Sequence, residues 1–226
     1  MKKLIPVLLV LLSFQIMAQE KLQSIVNVTG EGIVTVVPDQ VTISMSVENT
    51  GDDVIALKSL NDKTVDAVLN HIKQSGVEAK DIQTQYVSLN KRYDYNTKTY
   101  SFHAKQTITV LLRDLKKYDP LVSGLVQRGI NSIDGITFGS SKAEELKSQA
   151  RKNAIANAKM KAQEYAGVLN QKIGKAIQIS EQGNYNPPMP LYRSEAVMMS
   201  DSGGGETLAV GEMEMKVKIQ VVFELQ

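Results

Sequence analysis

Two stretches of the chain alternate between apolar and polar residues, with Val222 as an exception in the second. In residues 40–48 the apolar positions are Val41, Ile43, Met45 and Val47, and residues 213–225 repeat the pattern through seven apolar positions. Successive side chains of a strand point to opposite faces, so a period of two predicts strands that bury one face and expose the other. Such half-buried strands are typical of antiparallel sheets. The chain must therefore cover one face of a sheet with other elements.

Further strands and three helices are predicted between these stretches. The same pattern predicts strands at residues 25–29, 33–37, 82–93, 100–112, 133–138 and 176–180. A period of 3.6 predicts a helix that begins at Asp52 or Asp53 and ends at Gly76, and a second one between Asp114 and Gly129, because carboxylates cap helix starts and glycine ends helices.

The third and longest predicted helix opens at Ser141 and runs to about residue 170, with Glu144 placed as in a capping box. Its inward row has alanine at every fourth position, flanked by larger residues: Ala150, Ala154, Ala158, Ala162 and Ala166, with Leu146, Ile155, Tyr165 and Leu169 beside them. A row of small side chains lets a neighbour approach closely. Alanine is also the best helix former, so the row has two explanations that the sequence leaves open.

The chain begins as a secretory signal peptide does. Lys2 and Lys3 precede an apolar run over residues 4–16, and Met17-Ala18-Gln19 supplies a small residue before a polar one. We expect cleavage between Ala18 and Gln19 and export from the cytoplasm. The alternative is a membrane anchor, but the run falls short of the roughly 20 residues that span a bilayer.

Composition narrows the function classes. Without residues 1–18 the chain has 208 residues with 24 basic and 24 acidic side chains, so a general attraction for nucleic acid is not expected. The chain has no cysteine, which excludes disulfides, thiolate metal sites and cysteine nucleophiles. An exported chain held together by its core alone is typical of a bacterial periplasm.

Several segments, taken in order, resemble the SIMPL-domain family. They are Val28-Thr29-Gly30-Glu31-Gly32 with Pro38-Asp39 after it, Asp81-Ile82 with Thr84, a tyrosine-rich hairpin, Gly129-Ile130-Asn131 with Gly135-Ile136 and Phe138, the alanine-rich helix and the terminal strand. The resemblance implies an exported periplasmic or envelope protein. Some bacterial members are linked to oxidative-stress defence, some form oligomers, and the animal member is a kinase-associated adaptor. It supplies no catalytic residues.

The resemblance also implies an α+β fold in which three helices cover antiparallel sheets. We expect two interlocked modules, one of residues 19–96 plus 208–226 and one of residues 98–181. The order of elements in the second module is reminiscent of a ferredoxin-like layer. Residues 182–206, rich in proline and glycine, are expected to form a flexible loop.

Few residues suggest catalysis. His71 lies beside the apolar stripe of the first helix, and His103 points away from the apolar face of its strand, neither with a nucleophile or metal ligand at diagnostic spacing. Turn formation and capping explain Glu31 and Asp39 better than a carboxylate pair does. The Gly30-Glu31-Gly32 stretch lacks the lysine and the helix of a phosphate loop, so a bulge or a close chain crossing is expected there.

The hairpin around residue 96 concentrates aromatic residues. They are Tyr86, Tyr93, Tyr95, Tyr100 and Phe102, five of the twelve aromatic residues in the chain. Aromatic rings with polar tips are typical of protein interfaces. A cross-strand ladder that only stabilises the hairpin explains them equally well. The five residues are the candidate interaction surface.

Two further clusters have weaker implications. A basic row on the long helix, Lys147, Arg151, Lys152, Lys159 and Lys161, could meet an anionic partner or be a solvated face. Met189, Met198 and Met199 lie in the proline-rich loop, where thioethers could bind Cu(I).

The sequence therefore predicts a non-enzymatic exported module without cofactor, a homo-oligomer with an unidentified envelope partner. No nucleic acid binding and no transmembrane segment after removal of the leader are expected. The alternatives are a Cu(I) or ligand binder that uses the methionine loop and, least favoured, a hydrolase.

Overall fold

The computed structural model describes residues 23–181, 189–191 and 210–226. The predicted leader with its cleavage site at Ala18 and Gln19, and most of the predicted loop 182–206 including Met198 and Met199, lie outside these residues. Within them the chain forms nine strands and three helices. The antiparallel sheets and the three helices, one of them long and rich in alanine, confirm the α+β class.

The strands and helices have the following bounds. The strands are β1 (Ile25–Val36), β2 (Gln40–Gly51), β3 (Ile82–Thr84), β4 (Ser88–Asp94), β5 (Thr99–Leu112), β6 (Ser132–Gly139), β7 (Ile173–Glu181), β8 (Met189–Leu191) and β9 (Glu212–Leu225). The helices are α1 (Val54–Gln74), α2 (Tyr118–Gln127) and α3 (Ala143–Val168). The predicted strand 82–93 is thus two short strands, and the predicted strands 25–29 and 33–37 are one.

A five-stranded antiparallel sheet has the order β3-β5-β2-β6, with β4 continuing the edge formed by β3. Together with α1 and α2 it forms the β-α-β-β-α-β arrangement of a ferredoxin-like layer. This layer extends from Gln40 to Gly139, whereas the sequence placed it in residues 98–181. The strand β2 was predicted but was assigned to the other module, because it pairs with residues of β5 that are more than fifty positions away in the sequence, and local patterns do not report such pairing.

The hydrophobic core lies between this sheet and its two helices. Its fully buried members come from two central strands and both helices: Val41, Ile43, Met45, Val47, Val68, Ile72, Ile108, Val110, Leu121 and Leu125. The predicted helix ends are confirmed for α1, because Asp53 accepts hydrogen bonds from the amides of Ile55 and Ala56, and Gly76 follows the helix at φ +84°.

A second sheet has the order β1-β9-β7, and β8 also pairs with β9. The terminal strand therefore lies beside the N-terminal strand, with which the sequence grouped it in one module. Strand β8 lies within the segment predicted as a loop, and its Pro190 pairs with Met213 of β9. Because β8 is a short strand of three residues paired only with β9 among the described residues, its proline does not interrupt a ladder on both sides.

Helix α3 approaches β1 at Gly30. A Cβ atom at Gly30 would collide with the carbonyl oxygen of Ala154 and would lie 2.7 Å from the Cβ of Ala158. All five alanines of the predicted row are buried. The close crossing predicted at Gly30 is thus present, and small side chains on α3 make it possible. Ile155, Tyr165 and Leu169, which were predicted to flank this row inward, are exposed instead.

The chain divides into two compact units that cut across the predicted modules. Among the described residues, one unit consists of 23–31, 154–181 and 218–226, and the other of 32–153, 189–191 and 210–217. The second unit contains the complete ferredoxin-like layer. The module boundary predicted near residue 97 falls within the β4–β5 hairpin, whose two strands pair along their length.

Candidate interaction surface

The candidate site is the β4–β5 hairpin, in which each aromatic position has a defined partner across the strands. Tyr93 lies opposite Tyr100, Lys91 opposite Phe102 and Leu89 opposite Ala104. Residues that are directly opposite in an antiparallel pair share one face of the sheet. Leu89, Lys91, Tyr93, Tyr100 and Phe102 therefore share one face, which we call the aromatic row.

The aromatic row continues the face of β5 that forms the core. Ala104, Ile108, Val110 and Leu112 are buried and lie an even number of residues from Phe102, and β5 pairs with β2 without a register shift. Since strand faces alternate with a period of two, the row and the core lie on the same side of the sheet. The hairpin thus extends the core face toward the turn.

The exposed fractions show where this face ceases to be covered. Phe102 is half-buried, whereas Tyr100 is 58% exposed, Tyr93 40% and Tyr95 84%. Every residue of β4 is exposed. The part of the chain that the structure describes leaves this end of an apolar sheet face open to solvent.

The rings of the row contact one another. The ring centroids of Tyr93 and Tyr100 are 4.8 Å apart, and Tyr95 meets Tyr93 edge to face at 5.1 Å. The ammonium group of Lys91 lies 4.2 Å from the centroid of the Tyr100 ring, a cation–π distance. These contacts hold the surface in one arrangement before any partner binds.

The opposite face of the hairpin is polar. It carries Asn90, Arg92 and Asp94 on β4 and His103 and Lys105 on β5. Lys105 donates to Glu48 at 2.7 Å and to Asp134 at 3.3 Å, and these hydrogen bonds raise the pKa of the lysine. This face has the composition of a solvated surface, so the two faces of the hairpin differ in chemistry.

The turn of the hairpin is held by Asp94. Its Oδ1 accepts hydrogen bonds from the amides of Asn96 at 2.8 Å and Thr97 at 3.3 Å, and Lys98 adopts φ +56°. The two amides lower the pKa of the Asp94 carboxyl. An Asx turn of this kind fixes the position of Tyr95 relative to the strands.

Two members of the surface differ from the sequence prediction. Tyr86 lies in the connection between β3 and β4, is wholly exposed and does not take part in the ring contacts of the described row, so the hairpin holds four of the five predicted aromatics. Lys91 and Leu89 were missed. The period of two in residues 89–93 could have identified Leu89, but a lysine on an apolar face has no such signal.

The histidines lie in different surroundings. His71 packs against Gly124 of α2, where a Cβ would lie 2.5 Å from the His71 ring carbon Cε1, and its Nε2 is buried without a hydrogen-bond partner among the described residues. His103 Nδ1 lies 3.1 Å from the hydroxyl of Thr50. The described contacts place neither imidazole beside both a carboxylate and a nucleophile.

Glu31 and Asp39 form hydrogen bonds to residues more than 100 positions away in the sequence. The amide of Glu31 donates to Asn157 at 3.1 Å. The carboxylate of Asp39 accepts from the amide of Ser141 at 2.7 Å and from its hydroxyl at 2.5 Å. Burial raises the pKa of Asp39, but the bonds from Ser141 outweigh this effect and lower the pKa overall. Ser141 thus binds Asp39 rather than opening a capping box, and α3 begins at Ala143.

The basic row of α3 is partly engaged within the chain. Lys161 donates to the carbonyl of Thr29 at 3.0 Å, while Lys152 and Lys159 are exposed. In the methionine loop only the backbone of Met189 is described, so the Cu(I) hypothesis stays a prediction. No group of three metal-binding His, Asp or Glu side chains occurs in residues 23–181 and 210–226. Among the described helices none has the length and apolarity needed to cross a bilayer.

Several known proteins are similar in sequence to this chain over 70% or more of its length. The 26 kDa periplasmic immunogenic protein of Brucella melitensis is 26% identical, over 89% of this chain and 84% of that protein. The uncharacterised protein YggE of Escherichia coli K12 is also 26% identical, over 88% and 82%. A Xenopus laevis homologue of interleukin-1 receptor-associated kinase 1-binding protein 1 is 23% identical, over 70% and 63%. Residues 26–223 match the family described as SIMPL, protein of unknown function (DUF541), and the chain therefore belongs to the SIMPL family.

Proposed function

We propose that this protein is a non-enzymatic, exported module of the bacterial envelope that forms oligomers through its aromatic row. One observation carries the proposal: the apolar face of β5 continues past its buried part into Phe102 and the exposed Tyr100. The exposed Tyr93 of β4 lies opposite Tyr100, and the exposed Tyr95 of the turn contacts Tyr93. A soluble protein rarely leaves a contiguous apolar face open unless a partner covers it.

The chemistry of the row favours a protein partner. Tyrosine and phenylalanine, the aromatic residues of the row, are enriched at interfaces, where a ring buries a large apolar area at low conformational cost. A hairpin that needed its aromatics only for stability would be served by one cross-strand pair such as Tyr93 with Tyr100. Tyr95 at the turn and Lys91 on the apolar face add contact area that such a pair does not require.

The relatives support the location and the class of activity. The Brucella relative is named a periplasmic protein, and the Xenopus relative is named a homologue of a kinase-binding protein. Export and a binding role for this chain accord with both names. A link to oxidative-stress defence rests on the family resemblance alone and is part of the proposal.

Export can be tested on the purified protein. Protein recovered from a periplasmic extract is expected to begin at Gln19, because the small residue Ala18 precedes it. Mass spectrometry of the intact protein measures this. Recovery from the cytosol with residues 1–18 attached would contradict the proposed location.

Self-association is the direct test of the binding role. Sedimentation velocity of residues 19–226 at micromolar concentration is expected to show an oligomer, and the double variant Tyr93→Ser with Tyr100→Ser is expected to sediment as a monomer. The matched control is Tyr165→Ser, which alters an exposed tyrosine of α3 outside the hairpin. A wild-type monomer at every concentration, or equal loss of association in the control, would overturn the proposal.

A further inference from the structure

Strand β4 has an unpaired edge. In the part of the chain that the structure describes, β4 pairs only with β5, and all seven of its residues are exposed. The outward backbone amides and carbonyls of β4 thus have no strand beside them. Open edges of this kind can pair with a strand of another chain.

The charges of β4 limit how two copies could pair along this edge. In a two-fold antiparallel pair, one residue faces its own copy and its neighbours face each other reciprocally. If the axis passes through Lys91, Arg92 or Asp94, two like charges face each other, which is unfavourable. If it passes through Tyr93, then Arg92 faces the partner's Asp94 and Asp94 faces the partner's Arg92.

The remaining positions of the Tyr93-centred register are also complementary. Tyr93 would face the partner's Tyr93, and Lys91 would face the partner's Tyr95, a second site for a cation–π contact. Lys91, Arg92 and Asp94 each have a group available for these contacts. No carboxylate lies within 4 Å of the basic groups of Lys91 or Arg92 among the described residues. Asp94 uses Oδ1 for the turn, so Oδ2 can accept from an arginine.

We infer that a second copy of this chain adds to the edge of β4 as an antiparallel strand centred on Tyr93, so that the two aromatic rows join into one surface. This inference rests on the proposed function, because it specifies how the hairpins meet. The remainder of each copy would extend away from opposite ends of the shared strand pair, so the two copies would not collide.

Charge exchange tests the register. Arg92→Asp and Asp94→Arg are each expected to raise the dimer Kd by about tenfold or more, because each places like charges in contact. An equimolar mixture of the two variants is expected to associate again, because in the mixed dimer each altered position faces the opposite charge. Failure of the mixture to associate, with both variants folded by circular dichroism, would contradict the inference.

A cysteine variant tests the register without changing Asp94, which holds the turn. The chain has no cysteine, so Tyr93→Cys can form only an intermolecular disulfide. Directly opposed Cα atoms in an antiparallel pair are about 4.5–5.5 Å apart, within the range of a disulfide. Mild oxidation is expected to yield a covalent dimer that reduction dissolves. The matched control, Tyr100→Cys, lies on the same face but on β5, away from the edge, and is expected to remain uncrosslinked.

The outcomes separate the inference from the proposed function. If the wild type associates and the Tyr93→Ser, Tyr100→Ser variant does not, but neither mixing nor the cysteine yields a dimer, the hairpin is the contact surface and the register is wrong. If the wild type is a monomer, both are wrong.

Discussion

Both ends of strand β5 carry apolar or aromatic side chains on the same face of the sheet, but only one end is buried. At one end Ile108, Val110 and Leu112 are buried in the core with α1 and α2. At the other end Phe102 is half-buried and Tyr100 is exposed. The pattern of alternation is the same at both ends, so the pattern reports an apolar face but not what covers it. The first end is covered by the chain itself, and we propose that the second end joins the same end of another copy.

The two ends also differ in the kind of residue that they carry. The covered end has branched aliphatic side chains, which pack densely and have no polar atom to satisfy. The open end has tyrosines, whose hydroxyl groups can hydrogen-bond to water before a partner binds. A side chain that must be stable both in solvent and in an interface is expected to be of this second kind.

The comparison is tested most strongly by a truncation at each end. Ile108→Ala should lower the free energy of unfolding by about 2–5 kcal/mol, because it leaves a cavity at a fully buried site. Tyr100→Ser should lower it by only about 0.2–1 kcal/mol, the value of a cross-strand pair, while it weakens self-association. Urea denaturation at a concentration where the protein is monomeric measures both. Equal losses of stability would show that the open end is structural.

Close packing at Gly30 gives the next largest expected effect. Gly30→Ala should lower the free energy of unfolding by about 1–3 kcal/mol, because the added Cβ would collide with the backbone of α3 at Ala154. The control is Gly167→Ala, in the last turn of α3, where the added Cβ would meet open space. This variant should be neutral or should stabilise the protein by about 0.5–1 kcal/mol. Similar results for the two variants would contradict the close crossing.

A smaller effect than that at Gly30 is expected at Asp39. Asp39→Asn should cost about 1 kcal/mol at pH 7, the value of a typical hydrogen bond, because it weakens the bonds from Ser141. The pKa of Asp39 is lowered in the folded protein, so its contribution is complete above the ordinary value of 3.8 and is lost as the pH falls through the lowered value. The difference between wild type and variant in urea denaturation should therefore shrink between pH 7 and pH 2. A constant difference would contradict the role of the carboxylate.

Local patterns predicted most elements and part of the surface. The cap at Asp53, the positive φ at Gly76, the buried alanine row and the aromatic hairpin follow from short-range chemistry. The ferredoxin-like layer was placed in the wrong segment because its strand order depends on pairing between distant residues. That Lys91 contacts the ring of Tyr100 could not be predicted, because this contact follows from the register of β4 against β5.

Hydrogen–deuterium exchange of residues 19–226 at rising protein concentration tests the central claim most directly. The amides of β4 and of the turn after it should become protected as the protein associates, while those of β6, the other edge of the same sheet, should not change. Protection confined to β6, or association with no change in the hairpin, would show that the aromatic row is not the contact surface.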